Sequence, residues 1–485
     1  MELVKKQSLS KNFFYQIAYQ VIIIVIPLII SPYLTRKIGD TGLGIYSYVY
    51  SIAGYFVLLA MLGISKYGQR CITFARNDHD LLRRKFWSLF FVHKIASIIA
   101  LILYFGFSFL FVKENFTIFL VESIYVLSAL FDTTWLFYGL ENFRPIVLRN
   151  LIVKVFETIA IFVFIKDSGD LYIYALIVSI GFLTSHLIVL PRVFRIVKPI
   201  KFNLNDCKEH IKPLFVFAVA VVAISLYTFF DKTLLGLLST KENVAYYTYS
   251  EKIIQIPKSI IGVIGIVMFP RACKMANEGN FEQQKKYMVI SIILTCILGF
   301  GAIFGLAAIS NELAIIYYGS DFAACGKIIL FLAPIIIING IGDVLRSQYM
   351  IPMHMDKQYT ICIILNAIIN LILSTILIPF IGVYGAVVGT LAAELFGMIY
   401  QMILCRKVIS PLIYIKKSIP YVVIGLIMFF VLYVLNSYLS MNWKNLLILI
   451  LVGLVIYLLL TFVCLLLFEK ELFNSIMKRL KIKKS

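Results

Sequence analysis

Runs of about 20 residues with almost no charge recur from one end of this chain to the other, separated by short basic links. A run of that length crosses the hydrocarbon of a bilayer, where every backbone polar group must be satisfied inside the protein. Only helices and closed barrels meet that condition, and continuous rather than alternating apolar runs predict helices. Composition agrees. Of 485 residues, 61% are apolar and 14% charged, with a mean hydropathy of +0.93. A soluble chain carries roughly 45–50% apolar and about 25% charged residues. The numbers exclude a soluble enzyme, a nucleic-acid-binding domain and a disordered chain.

The expected architecture is all-α and polytopic, with spans at 13–34, 43–65, 86–112, 116–140, 146–165, 171–190, 214–238, 244–270, 288–309, 327–351, 359–379, 382–404, 418–440 and 445–468. That makes about fourteen transmembrane helices. The N-terminus, MELVKKQSLSKNFF, is basic and then apolar like a signal peptide. Its apolar stretch continues to about Leu34 with no small-residue cleavage site, which predicts a retained first helix.

Net charge is +20, from 45 Lys and Arg against 25 Asp and Glu. The basic residues gather in 66–85, 191–213 and the tail from Lys470 to Lys484, whereas the intervening loops hold few. The positive-inside rule then places both termini in the cytoplasm. The excess points to anionic membrane lipids rather than nucleic acid. Eight scattered cysteines predict neither a disulfide framework nor a metal site.

The longest cytoplasmic link divides the chain into an N-terminal six-helix lobe (1–190), a linker (191–213) and a C-terminal six-helix lobe (214–404). Residues 405–485 supply two further helices and a basic tail. A faint echo joins the halves: Tyr46 with Tyr246, Arg70 with Arg271, Asp132 with Asp343, and Ala175 with Ala386. With six helices each, the halves read as parallel repeats about the membrane normal.

Polar groups within spans mark either a wet path or a structural pair. In helix eight, Thr248, Glu251, Gln255 and Lys258 share one face. Ser225, Thr228, Lys232 and Ser239 do the same in helix seven, beside Asp231. Helix one carries Asn12, Gln16 and Gln20; helix two carries Ser47, Ser51 and four tyrosines. Asp231, Lys232, Glu251 and Lys252 fall at one depth, roughly 9–12 Å below the outer helix ends. They read as a hydrated layer or gate, or as mutual neutralisers. Lys258 has no acid three or four residues away, and Pro257 beside it permits a kink.

Lys154 with Glu157, and Asp343 with Arg346, have the spacing of intrahelical ion pairs. Glu122 and Asp132, ten residues apart in one expected helix, are a candidate proton or cation site, and Glu394 is another. His93 and His186 read as packed or interfacial. Arg70 and Arg271, ending helices two and eight, are membrane anchors or anion-capturing groups. The chain carries no G-x-x-x-x-G-K-[ST], H-E-x-x-H or G-x-S-x-G motif, so neither an enzyme nor a nucleotide-driven pump is expected, and no cofactor.

PYLTRKIGDTGLGIYSYVYSI (32–52), GISKYGQRCITFARND (63–78), DTTWLFYGLENFRPIVLRN (132–150) and GVYGAVVGTLAAE (382–394) resemble stretches of the Wzx-type oligosaccharidyl-lipid flippases. These belong to the multidrug/oligosaccharidyl-lipid/polysaccharide exporter superfamily. The resemblance implies two six-helix lobes around a central cavity lined by helices one, two, seven and eight. It also implies movement of isoprenoid-diphosphate-linked oligosaccharides across a bacterial cell membrane for capsule, exopolysaccharide or O-antigen synthesis. A polysaccharide polymerase would be a neighbouring partner. A cationic cavity would hold the diphosphate. Arg36 and Arg70 lie in matching motifs, while Lys232, Lys252, Lys258 and Arg271 follow from depth and spacing. The rivals are a cation-coupled drug antiporter, a peptidoglycan-precursor flippase and a polymerase; the last would need a larger external loop than this chain has.

A green fluorescent reporter fused after Ser485 is expected to fluoresce, and alkaline phosphatase fused there to be inactive. The reverse pair would invert the topology.

Overall fold

The computed structural model describes residues 9–200 and 204–469, with side chains from Val25 onward except 204, 216–217, 219–228 and 468. Asn12, Gln16, Gln20, Ser225 and Thr228 therefore lie outside the described side chains, and the basic tail outside the described residues. Among the described residues there is no strand. Sixteen α-helices follow in order: α1 Leu9–Met61, α2 Ile64–Ala75, α3 His79–Phe111, α4 Phe116–Ser128, α5 Thr134–Gly139, α6 Arg144–Phe164, α7 Leu171–Ile196 and α8 Leu204–Leu238. Then come α9 Lys241–Asn277, α10 Phe281–Leu313, α11 Ala324–Leu332, α12 Ile335–Leu345, α13 Asp356–Ile381, α14 Val383–Cys405, α15 Pro411–Ser437 and α16 Trp443–Phe468.

Among the described residues, ten helical stretches are long and apolar enough to cross a membrane, or eleven when α11 and α12, bent by 43°, count as one span. The chain is thus a multi-pass membrane protein, and the expected count of fourteen is not reached by this measure. The first two expected spans merge into α1, although its backbone leaves helical geometry at Gly39 (φ 80°), between them. The segment α6 carries Arg149, Lys154 and Glu157, and α8 is described only in part. The expected single helix at 116–140 is broken. A 3-10 turn at Ala129–Phe131 and an extended Asp132 separate α4 from α5, so helical spacing does not run through from Glu122 to Asp132.

The chain divides into two compact units, 1–245 and 246–485. In the first, α1 packs on α3, α4, α6 and α8, and α4 on α7. Near its start, α8 is bound to α2 and α3. Arg84 grips Asp206 with two hydrogen bonds of 2.8 Å, Lys85 pairs with Glu209 at 2.9 Å, and the buried His210 bridges Tyr67 (Nδ1 to Oη, 2.9 Å) and Ser88 (Nε2 to Oγ, 3.0 Å). The Ser88 hydroxyl donates to the carbonyl of Arg84, so it accepts from Nε2–H, and Tyr67 donates to Nδ1. Neutral imidazole satisfies both bonds.

Just beyond the far end of α8, Lys241, the first residue of α9, meets α1 by close backbone approach. A Cβ on Gly44 would lie 1.8 Å from the Lys241 carbonyl oxygen, so only glycine fits. The Lys241 ammonium caps the Gly236 carbonyl at 2.7 Å and lies 3.8 Å from the centre of the Tyr48 ring. In the second unit, α13 and α14 form a tight hairpin that turns at Gly382 (φ 57°), and α15 and α16 pack on α10. Its core includes Ile292, Cys296, Leu345 and Tyr421.

Gly44→Ala is expected to lower thermal stability by about 1–3 kcal/mol through overpacking. Gly106→Ala, with nothing within 4 Å of the added carbon, should be neutral or slightly stabilising. Equal melting curves for the two variants would contradict the contact at Gly44.

Burial pushes the His210 imidazole down to about 4 from an ordinary 6.5, so the folded protein resists protonation there. Stability should be flat above pH 6.5 and fall by up to about 3 kcal/mol as pH drops towards 4. In His210→Gln the loss over that window should shrink. Unfolding scans across the range check both.

Candidate functional site: polar groups within the helices

Polar residues inside the first unit fall into separate groups. Tyr46 and Tyr50 of α1, Tyr125 of α4, and Tyr174 and Phe182 of α7 form a stack of rings 4.5–6.3 Å apart, with Glu122 buried beside it. The i, i+3 pair expected in α6 is present: Lys154 donates to Glu157 at 2.5 Å. Glu157 fills the space over Gly181 of α7, where a Cβ would be 1.8 Å from its oxygen.

Asp132 stands apart from Glu122. Its carboxylate accepts from the Thr134 amide at 2.7 Å and faces His186 Nδ1 at 3.7 Å. Arg149, buried, donates to the Thr134 hydroxyl at 2.8 Å. The two acids have different neighbours and do not form the one site that their spacing suggested. His93 is buried with neither ring nitrogen hydrogen-bonded. On the face of α1 that meets α8, Ser51 and Thr233 share a hydrogen bond of 3.0 Å and Thr233 donates to Tyr55 at 3.3 Å. Immediately before Thr233, Asp231 is buried and Lys232 half-buried.

In the second unit, Tyr249, Tyr318 and Phe322 pack edge to face or tilted, and the Lys252 ammonium lies 3.8 Å from the centre of the Tyr249 ring. Lys258 is half-buried and Gln255 exposed. The expected pair of Asp343 and Arg346 is made, with the guanidinium also 5.7 Å from the Tyr359 ring centre. Gly265 of α9 admits that carboxylate, since a Cβ there would be 2.2 Å from it. Arg346 opens a π-helical turn, Arg346–Met350, a break that frees backbone groups beside a charge. Glu394 accepts from Asn339 at 3.1 Å, and Thr390 bonds both Tyr247 (3.0 Å) and Asn370 (3.1 Å).

The arginines named from the sequence sit differently. Arg36 is exposed and donates back to the Pro32 carbonyl at 2.7 Å, Arg70 is exposed 5.4 Å from the Tyr67 ring centre, and Arg271 is exposed. Asp231 and Lys232 belong to the first unit, and Glu251 and Lys252 to the second. The sequence reading missed the roles of Arg149, Lys241 and Asn370. A buried arginine inside an apolar run was the one available signal; partners distant in sequence gave the others no local pattern. Among the described residues, no group of three His, Cys, Asp or Glu is arranged to hold a metal. What these groups offer is hydrogen bonding and charge inside a membrane.

Comparison with known proteins fits that character. A protein of Shigella dysenteriae named "Putative O-antigen transporter" is 26% identical over 383 residues, covering 78% of this chain and 94% of its own length. The solved structure of the lipid II flippase MurJ in an inward closed conformation superposes with a TM-score of 0.76 at 16% identity, over 94% of this chain and 98% of that one. An inward-facing multidrug transporter of the MATE family, in the MOP superfamily, gives 0.61 at 12% identity, over 84% and 99%. These two likenesses establish the transporter fold. The model of one family, described as polysaccharide biosynthesis protein, matches residues 9–276, more than half the chain. On that match this chain belongs to the polysaccharide biosynthesis protein family.

Proposed function

We infer that the protein is a flippase that carries isoprenoid-diphosphate-linked oligosaccharide repeat units from the inner to the outer leaflet for surface polysaccharide synthesis. The observation that carries this reading is the family match together with a relative named as an O-antigen transporter along nearly its whole length. The basic side chains on α8 and α9 support it: Lys232, Lys252 and Lys258 suit an anionic head group, whereas a drug antiporter for cations would want acids there.

The mechanism is alternating access between two lobes, 1–190 and 214–404, joined by 191–213, with 405–485 appended. Both termini are cytoplasmic. The lipid tail stays in the bilayer while sugar and diphosphate pass between the lobes. Arg36, Arg70 and Arg271 meet the anion at the cavity mouths, and the three lysines replace the hydration it loses within. Each negative charge moved outward gains about 2.3 kcal/mol per 100 mV of interior-negative potential. Asp231 and Glu251 set the gate, and Asp132 and Glu394 are further candidates for coupling an ion.

Helix α8 is bound to the first unit near both ends, although helix count assigns it to the second lobe. An element held by reversible polar contacts suits a part that changes neighbours during the cycle. The protein acts as a transporter and not as an enzyme; anionic lipids bathe its basic face, and a polysaccharide polymerase consumes what it delivers.

Deletion of the gene in its own host, in a strain without a redundant flippase, should leave a complete diphosphate-linked oligosaccharide facing the cytoplasm. An unchanged lipid pool would remove the reading. Accumulation of the peptidoglycan precursor instead would make this a flippase for that lipid. Lys258→Ala should cut surface polysaccharide at least tenfold at normal protein level, and Lys258→Arg should retain most of it. Full activity of the alanine variant would remove Lys258 from the binding site.

A further inference from the structure

Glu122 is fully buried in α4, with 0% exposure, and neither carboxyl oxygen has a hydrogen-bond partner. It lies six residues beyond Phe116, roughly 9 Å along the helix. Its surroundings come from three other helices. Tyr46 and Tyr50 of α1, Tyr104 of α3 and Tyr174 of α7 stand within electrostatic reach, as does Tyr125 one turn along its own helix. Ser179 of α7 is beside it, with its hydroxyl within interaction range of the carboxyl.

The charged groups facing the same ring cluster are Lys154 and Glu157 of α6. They are bonded to each other at 2.5 Å, so the ammonium is already committed. An ionised Glu122 would therefore be a second negative charge beside one neutral pair, in a position with no solvent exposure, at a cost of several kcal/mol. A protonated carboxyl is neutral and leaves the cluster balanced. Asp132 differs, because a backbone amide, His186 and Arg149 surround it.

We propose that Glu122 is a proton-binding site of the first unit, loaded in the packing seen here and emptied when the helices around it part. On release the carboxyl O–H bond breaks, the proton passes to entering water, and the carboxylate remains until the cluster closes again. A permanently neutral role would be met as well by an amide. A group that must exist in two charge states needs the acid, together with neighbours that favour the neutral form only while packed. The tyrosine stack provides that condition, since rings drawn from three helices separate if any one helix moves. The inference deepens the flippase reading by naming a proton as the ion that its first unit binds, and its transport arm rests on that reading.

Two measurements on the full-length chain test it. In lipid nanodiscs, the infrared difference between mildly acidic and alkaline buffer should contain the carbonyl stretch of a protonated carboxyl that Glu122→Gln lacks. In the flippase-deleted host, surface polysaccharide should vary with external pH for the wild type. For Glu122→Gln it should be at least tenfold lower and flat with pH, while Glu122→Asp keeps a pH dependence with a moved midpoint. A Gln variant with wild-type output and profile would overturn the proposal even if the band is present. Absence of a Glu122-dependent band would overturn it as well. Should the Gln variant fail to accumulate, the Asp variant decides: a band shifted relative to wild type supports the site, and an unchanged band refutes it. If the wild-type gene itself fails to restore polysaccharide, the flippase reading falls and the infrared result alone decides proton binding.

Discussion

Inside hydrocarbon a polar group has no water to turn to, and this one condition orders most of what the helices do. Hydroxyls fold back onto their own backbone: Ser47 bonds the Leu43 carbonyl, Ser108 that of Tyr104, and Thr158 that of Lys154. Charges in α6 and at the end of α12 find a partner one turn away, Lys154 with Glu157 and Asp343 with Arg346 of the following π-turn. Where a charged side chain meets a neighbouring helix, a glycine there leaves it room. Glu157 reaches the backbone of α7 over Gly181, and Asp343 reaches α9 over Gly265. Packing and polar satisfaction are thus one problem, because a larger residue at either glycine would push a carboxylate away from its place.

Breaks in the helices follow the same condition. Interrupting a membrane helix frees carbonyls and amides that must be re-bonded locally. Between α4 and α5 the extended Asp132 does this with its own side chain, which takes the Thr134 amide, while the Trp135 indole donates to the Asp132 carbonyl at 3.2 Å. The π-turn at Arg346–Met350 begins at a paired guanidinium. Both interruptions sit next to charged groups deep in their units, where a straight helix would have pointed those groups elsewhere. The gain is an orientation that regular geometry could not supply.

Whatever could be read within one or two helical turns was legible in the sequence. Apolar runs located the helices, and the i, i+3 spacing of Lys154 with Glu157 and of Asp343 with Arg346 identified two pairs that the structure contains. Extending helical phase across ten residues failed, because the break after Ala129 separates Glu122 from Asp132. Partners far apart in the chain left no trace at all. Nothing near residue 132 announces His186, nothing near 394 announces Asn339, and the approach of Lys241 to Gly44 spans almost two hundred residues. The limit is physical: periodicity encodes which face a residue occupies, whereas contact between faces is set by how the helices pack.

That packing also separates charges paired within their own helix from charges that are not. Lys154 and Arg346 have an acid one turn away on their own helix, and their removal would strand a buried or half-buried carboxylate. Arg149 is tied to the break between α4 and α5. These three basic groups are spent on structure. Lys258 differs in kind, since α9 offers it no acid within a turn in either direction, and it stands half-buried beside Pro257. A lysine in a membrane helix without an acid on its own helix is a charge that the helix itself does not neutralise. On the flippase reading, a charge left without a partner on its own helix is one that an anionic head group meets, whereas a charge already neutralised within the fold is not.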